Sequence, residues 1–218
     1  MESVALLVIA KEPLPGRAKT RLTPPCTPEQ AARLAGASLL DTLDAVRHTP
    51  AARKVLIFEG DPIRWRPPGF EVIRQRGHGL AERLAAAFED VGQPALLVGM
   101  DTPQLTPALL LDGVEALRSS NHDAVLGPAL DGGYWSIGLR TPDRAAFAGV
   151  PMSEHSTCIR QRTRLHELGL RVHEQPCLRD VDTIEDARAV AAACPGSRFA
   201  AVLTTLRRTT TAPNPQAA

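Results

Sequence analysis

The chain has 218 residues, 25 Lys and Arg against 24 Asp and Glu, a formal net charge of +1 and 44% hydrophobic residues. That length suits one well-buried domain, and the near-neutral charge argues against a dedicated nucleic-acid binder. No stretch approaches the roughly 20 apolar residues of a membrane span, which argues against a membrane partner.

In chain order, Val4–Ala10 is a continuous apolar run of strand length and reads as a buried strand. A loop rich in Pro, Gly and basic residues follows from Lys11 to Pro28. Thr27-Pro28-Glu29-Gln30 then has the form of a capped helix start, and the helix is expected to run to about Arg47. Lys54–Phe58 and Phe70–Ile73 are predicted strands, and Leu80–Val91 a helix. Pro94–Val98 is a fourth strand, and Pro107–Arg118 a helix capped by Thr106. Ala124–Leu126 and Tyr134–Gly138 are short strands. Thr157–Leu168 is a helix ending at Gly169, Arg171–Glu174 a strand, and Thr183–Ala193 the last helix. From Thr204 the chain turns Thr-, Pro- and Ala-rich, so one domain over residues 1–203 with a flexible tail over 204–218 is expected.

The alternation argues an α/β domain with a mostly parallel central sheet and helices on both faces. Ligands of such sheets bind at the carboxyl ends of the strands, so the residues after each strand are the ones to read. The N-terminus carries no basic stretch or cleavage site of a signal peptide, so a cytoplasmic protein with reduced thiols is expected.

The first strand is followed by Lys11-Glu12-Pro13-Leu14-Pro15-Gly16-Arg17-Ala18-Lys19-Thr20-Arg21-Leu22. Lys11, Arg17, Lys19 and Arg21 place four cations in eleven residues. The chain has only three lysines, and two of them are here. An arginine-biased protein that keeps lysine at two positions in one loop points to a need for the compact ammonium, and the loop suits a polyphosphate. The bland alternative is a solvated basic loop. The P-loop pattern is absent.

Asp101 in Gly99-Met100-Asp101-Thr102-Pro103 stands after the fourth strand, where a carboxylate suits a hard cation such as Mg²⁺, or an ordinary turn. Gly127 to Trp135 contains Asp131-Gly132-Gly133-Tyr134, a tight turn that fits close approach to a ligand and equally fits a hairpin. In Asp180-Val181-Asp182-Thr183-Ile184-Glu185-Asp186, either Thr183 or Asp182 can cap the last helix, with Asp186 three residues beyond Thr183, so capping explains part of the cluster. It leaves two carboxylates before the cap, of which Asp182 is the better second metal ligand and Asp180 the other candidate. Gln75 to Arg83, with Gly79, is a glycine-flexed loop opening a helix, fit for a base or a phosphate, or a plain turn. His155, before the fourth helix, reads more simply as a surface histidine than as a catalyst.

In this order, the Lys11–Leu22, Gly99–Pro103, Gly127–Gly138 and Asp180–Asp186 segments resemble the bacterial radical-SAM/selenodomain-associated transferase family. That family lies in the nucleotide-diphospho-sugar transferase superfamily. It is similar to the 2-phospholactate guanylyltransferases and, more remotely, to the molybdenum-cofactor guanylyl- and cytidylyltransferases. The resemblance spans about Val4 to Ala193, and departs where Ala10-Lys11-Glu12-Pro13 stands in place of a glycine-rich start. It implies a GT-A, Rossmann-like domain that binds a nucleotide with Mg²⁺ or Mn²⁺. Lys11, Arg17, Lys19 and Arg21 would lie near the phosphates, and Gln75, Gly79 and Arg83 near the nucleotide. Asp131, Gly132, Gly133 and Tyr134 would meet the acceptor, and Asp101 and Asp182 the metal.

The expected reaction is nucleotidyl transfer from an NTP to a small phosphorylated or phosphonate acceptor, with release of pyrophosphate. The alternatives are glycosyl transfer from a nucleotide-diphospho-sugar and non-catalytic nucleotide binding. The partners are then a nucleotide and a small acceptor, and a homodimer stays open.

Overall fold

The apolar run near the N-terminus becomes the central strand of the sheet. The structure, a computed structural model, describes residues 3–210. Strand β1 is Ala5–Lys11, wholly buried from Ala5 to Val8. β2 (Lys54–Glu59) and β4 (Ala95–Gly99) flank it, both parallel. β3 (Glu71–Arg74) lies parallel outside β2. On the other side, β6 (Tyr134–Leu139) is antiparallel to β4 and to β5 (Ala124–Pro128), and β7 (Val172–Glu174) is parallel to β5. The order is β3-β2-β1-β4-β6-β5-β7. Connections leave β1 toward β2 and return to β4 on its other flank, which opens a crevice at the carboxyl edge. Because β6 runs backwards, it brings its first residue, Tyr134, to that same edge.

The period-two alternation of β1 divides the core. Leu6 and Val8 face Leu39 and Leu43 of α1 (Pro28–His48), and Leu110 and Val114 of α3 (Pro107–Arg118). Ala5 and Leu7 face Leu84 and Phe88 of α2 (Gly79–Val91), and Leu165 of α4 (Thr157–Glu167). Each fully buried aliphatic or aromatic side chain contributes on the order of 1.5–3 kcal/mol. Thr27 and Gln30 form the capping box that starts α1, and Thr183 with Asp186 the one that starts α5 (Ile184–Ala193).

Beyond α5, the sequence leads one to expect a frayed tail from Thr204, but α6 runs Arg198–Thr210. Phe199, Leu203 and Leu206 pack with Leu34 and Val190 in a third cluster. The cap of α6 comes from another element: Asp41, on α1, accepts from the backbone N–H of Arg198 (3.1 Å) and of Phe199 (2.8 Å). The rest of the expected tail, 211–218, lies outside the described residues. Among the described residues no helix is long and apolar enough to cross a membrane, and all four cysteines are free thiols.

At the amino end of the β5–β7 pair, opposite the carboxyl edge, Asp123 ties the two strands together. Its carboxylate accepts from Arg171 Nε (2.7 Å), Nη2 (2.9 Å) and backbone N–H (3.1 Å). The Arg171 guanidinium holds the Asp123 carboxyl down at about 2, against desolvation. A depressed carboxyl pKa adds stability above its unfolded value and loses it as pH falls through the folded value. Asp123→Asn is therefore expected to cost about 1–2 kcal/mol at pH 7, after solvent screening of the half-exposed arginine. In urea titrations the gap from the parent protein should close between pH 4 and pH 2. A gap independent of pH would mean the bond, not the charge, is what matters.

Candidate active site

The carboxyl edge gathers three adjoining cavities, and Asp101 lines all of them. The smallest, about 170 Å³, is walled by the loop after β1 and includes Lys11, Arg17, Lys19 and Arg21. A second, about 600 Å³, lies over β1, β4 and β6 and includes Gln75, Gly79 and Arg83. The third, about 550 Å³, includes Asp131, Gly133, Tyr134, Asp180 and Asp182. Both larger volumes are of a size that holds small molecules.

Buried Ala18 and Leu22 anchor the basic loop on either side of Lys19. Lys19 takes a left-handed backbone (φ 50°, ψ 42°), which turns its side chain inward. Its ammonium is 7% exposed and lies 3.0 Å from Asp101 Oδ1 and 3.7 Å from Asp182 Oδ1. It also donates to the Val181 carbonyl. Arg21 reaches Asp182 Oδ2 at 2.8 Å from a mostly exposed position. The Lys11 and Arg17 side chains are exposed and have no hydrogen-bond or ion-pair partner among the described residues. So one lysine is built into the site, and two cations stand free at its mouth.

Asp101 is held in place by its backbone. The Ser38 hydroxyl donates to the preceding carbonyl, Met100 O, at 2.7 Å. The Val181 N–H donates to Asp101 O at 3.1 Å, which ties the segment before α5 to the end of β4. Thr102 Oγ1 donates to Asp180 Oδ1 at 2.5 Å. Burial pushes the Asp180 carboxyl up to about 6, and the negative charge of Asp101 adds to this, while the Thr102 bond and Lys19 oppose it. Asp186 belongs to the cap and to Arg179 (2.8 Å), as capping logic anticipates.

Gln75, Gly79 and Arg83 come together on one cavity, with two of them engaged by the protein. Gln75 Nε2 donates to Ala10 O (2.7 Å) and Ile57 O (3.2 Å), lacing β1 and β2 together. Arg83 Nη1 meets Glu59 Oε2 at 2.5 Å. Glu59, the last residue of β2, was not singled out from the sequence; its place at the carboxyl edge is the signal that could have found it. Gly79 opens α2 at φ +80° with free space around it.

In the turn between β5 and β6, Asp131 Oδ1 accepts from Gly133 N–H (2.8 Å), closing the turn. The Tyr134 ring lines two cavities, but its hydroxyl meets Gln161 Oε1 (3.3 Å), and burial pushes the phenol well up. Trp135, 1% exposed, is core, its indole N–H bonded to Pro176 O at 3.0 Å. Gly132 packs so tightly on the loop before α4 that a Cβ there would overlap the His155 carbonyl.

A family model matches residues 35–154. The chain belongs to the DUF2064 family. The family is described as uncharacterized protein conserved in bacteria. The matched segment of this DUF2064 protein holds Gln75, Gly79, Arg83, Asp101 and the Asp131–Tyr134 turn; the basic loop and Asp182 lie outside it. No curated protein matches the chain. Among solved structures, one from Desulfovibrio desulfuricans G20, provisionally described as a nucleotide-diphospho-sugar transferase, is 27% identical with a TM-score of 0.83, over 96% of each chain. CMP:2-keto-3-deoxy-manno-octonic acid synthetase, solved with CTP, is 14% identical with a TM-score of 0.57, over 87% of this chain and 99% of its own. Rv0371c of Mycobacterium tuberculosis H37Rv, solved with manganese, is 21% identical with a TM-score of 0.53, over 87% and 97%. The α/β domain thus has the fold of nucleotidyltransferases and nucleotide-sugar enzymes.

Proposed function

We propose that this DUF2064 protein is a divalent-metal-dependent nucleotidyltransferase, which moves an NMP from an NTP to a small acceptor and releases pyrophosphate. The observation that carries this reading is the cationic cavity of about 170 Å³ beside Asp101, with Lys11 and Arg17 unpaired. Several like charges on one wall call for an anion, and a triphosphate presents more charge than the diphosphate of a sugar donor. The fold shared with a CTP-bound synthetase supports it. The nucleoside would lie in the cavity of about 600 Å³ and the acceptor in that of about 550 Å³.

The carboxylates fit a metal of a particular kind. Asp101 and Asp182 already converge on one cation, the Lys19 ammonium. Among the described residues no group of three or more His, Cys, Asp or Glu forms a metal site. Mg²⁺ characteristically takes one or two carboxylates and completes its shell with water and phosphate oxygens. Asp101 and Asp182 suit that arrangement, and the manganese in the Rv0371c structure supports it. Such an ion, when bound, polarises the phosphate and offsets its charge. Lys11 and Arg17 hold the outer phosphates, and Lys19 stabilises charge on the departing pyrophosphate.

The test is pyrophosphate release from each NTP with Mg²⁺ or Mn²⁺ across a panel of acceptors. One NTP should release it, and Asp101→Asn should lower the rate at least about 100-fold. Glycosyl transfer is the second reading, favoured by the similarity to the Desulfovibrio protein described as a nucleotide-diphospho-sugar transferase. Release of nucleoside diphosphate from a sugar nucleotide, with no pyrophosphate from any NTP, would select it.

A further inference from the structure

The wall of the acceptor cavity is acidic. Asp131 comes from the β5–β6 turn, Glu154 from the loop before α4, and Asp180, Asp182 and Asp186 from the segment entering α5. Arg21 is the one permanent cation among its described lining residues, and it is bonded to Asp182. The Glu154 carboxylate has no partner among the described residues. Asp182, Asp186 and Asp180 have partners in the protein (Lys19 and Arg21, Arg179, and Thr102), so it is Asp131 and Glu154 whose charge a phosphate or phosphonate acceptor would enter against.

On the same wall lies His155. Its Nδ1 is 2.7 Å from the Asp131 carbonyl oxygen. A carbonyl only accepts, so Nδ1 carries the hydrogen, and the neutral ring leaves a lone pair on Nε2. Nε2 has no partner among the described residues. The exposed ring rests on that one bond, and the loop that carries it is fixed through its backbone: Cys158 N–H donates to Gly132 O at 2.8 Å, and Gly132 leaves no room between the turn and the His155 carbonyl. Ser153 in this loop has φ 63°, a conformation that a non-glycine residue adopts only when its surroundings impose it.

We infer that the acceptor reacts through a hydroxyl group and that His155 Nε2 is the general base that takes its proton. This rests on the nucleotidyl reading for the identity of the donor. A phosphate oxygen is ionised at neutral pH, so it needs cations and no base. A hydroxyl is neutral, so it needs a base, and carboxylates are good acceptors for the other hydroxyls of a sugar or polyol. The proton passes from the hydroxyl to Nε2, and the oxygen's electron pair forms the new bond to the α-phosphorus. The bond from that phosphorus to the bridging oxygen breaks, and its pair leaves with pyrophosphate. The substrate class is a small polyhydroxyl compound, neutral or cationic.

Two measurements test this on the full-length protein. In ¹⁵N-edited spectra the neutral His155 ring, identified by its loss in His155→Asn, should be protonated at Nδ1. A panel of monosaccharides and polyols should move its Nε2 resonance, and methylphosphonate, which has no hydroxyl on carbon, should not. An Nε2-protonated ring, or a response to methylphosphonate alone, would overturn the inference whether or not turnover is seen. In the pyrophosphate assay the same panel should support release. His155→Asn keeps a donor near the Nδ1 position and removes Nε2. It should lower release about 100- to 10,000-fold, with the nucleotide-induced rise in Tm intact. Full activity of His155→Asn would also defeat it. Absence of pyrophosphate with every NTP, with the Nε2 response present, would defeat the nucleotidyl reading and spare this one.

Discussion

Lys19→Ala is expected to move two binding constants in opposite directions. Asp101 and Asp182 share the Lys19 ammonium at 3.0 and 3.7 Å. Removing it takes a competing cation from the two carboxylates, so Mn²⁺ alone should bind more tightly to the variant. Removing it also takes a cation from the phosphate site, so an NTP should bind more weakly. Turnover should fall about 100- to 1,000-fold or more, the usual scale for removing one group that stabilises developing charge. The cost in stability should be small, about 1–2 kcal/mol. The Val181 carbonyl loses a donor, but Asp101 and Asp182 are 43% and 34% exposed, and water screens their repulsion. Calorimetry with Mn²⁺, then with NTP, reads both constants. Looser binding of Mn²⁺ in the variant would show that Lys19 positions the carboxylates rather than competing for them.

The placement of Lys19 against Asp101 and Asp182 separates what is local in the basic loop from what is not. The four cations of the basic loop are visible as a run, and the loop follows a strand, so a cationic cluster at the carboxyl edge is legible. Nothing local says that Lys19 turns inward while Lys11 and Arg17 face outward; its left-handed backbone and the Asp101–Asp182 pair decide that. Strands and helices read well because alternation, caps and glycine stops are local. Thr106 before α3 is such a cap, and it accepts from Leu109 N–H at 3.3 Å. Helix α6 carries the spacing of Phe199, Leu203 and Leu206, but its cap is Asp41, 157 positions earlier, and no window reaches it. Gln75 and Arg83 show the converse. Their types suit a ligand, yet much of their polar capacity serves the sheet edge and Glu59. His155 looks ordinary in sequence because its value depends on a carbonyl 24 residues away.

Gly132→Ala is the substitution that should disturb the acceptor side most while sparing the phosphate side. Gly132 has φ +91°, a region L-residues rarely adopt, and a Cβ would overlap the backbone of His155. Neither strain has a flexible side chain to relieve it, so the loop before α4 must move. It then loses the Cys158–Gly132 bond (2.8 Å) and the His155–Asp131 bond (2.7 Å) together. Backbone strain of about 1–3 kcal/mol plus the broken bonds predicts a loss of about 3–4 kcal/mol. For a domain of this size that lowers Tm by roughly 6–16 °C. Gly149→Ala supplies the control, since Gly149 has φ +75° but nothing within 4 Å of a Cβ. It should cost about 1 kcal/mol and leave turnover unchanged. In Gly132→Ala, turnover should fall about 100-fold through loss of the placed His155, while NTP still raises Tm, because the basic loop lies on another cavity. Equal losses in both variants would show that φ strain alone is responsible and that the fit of the turn against His155 carries no function.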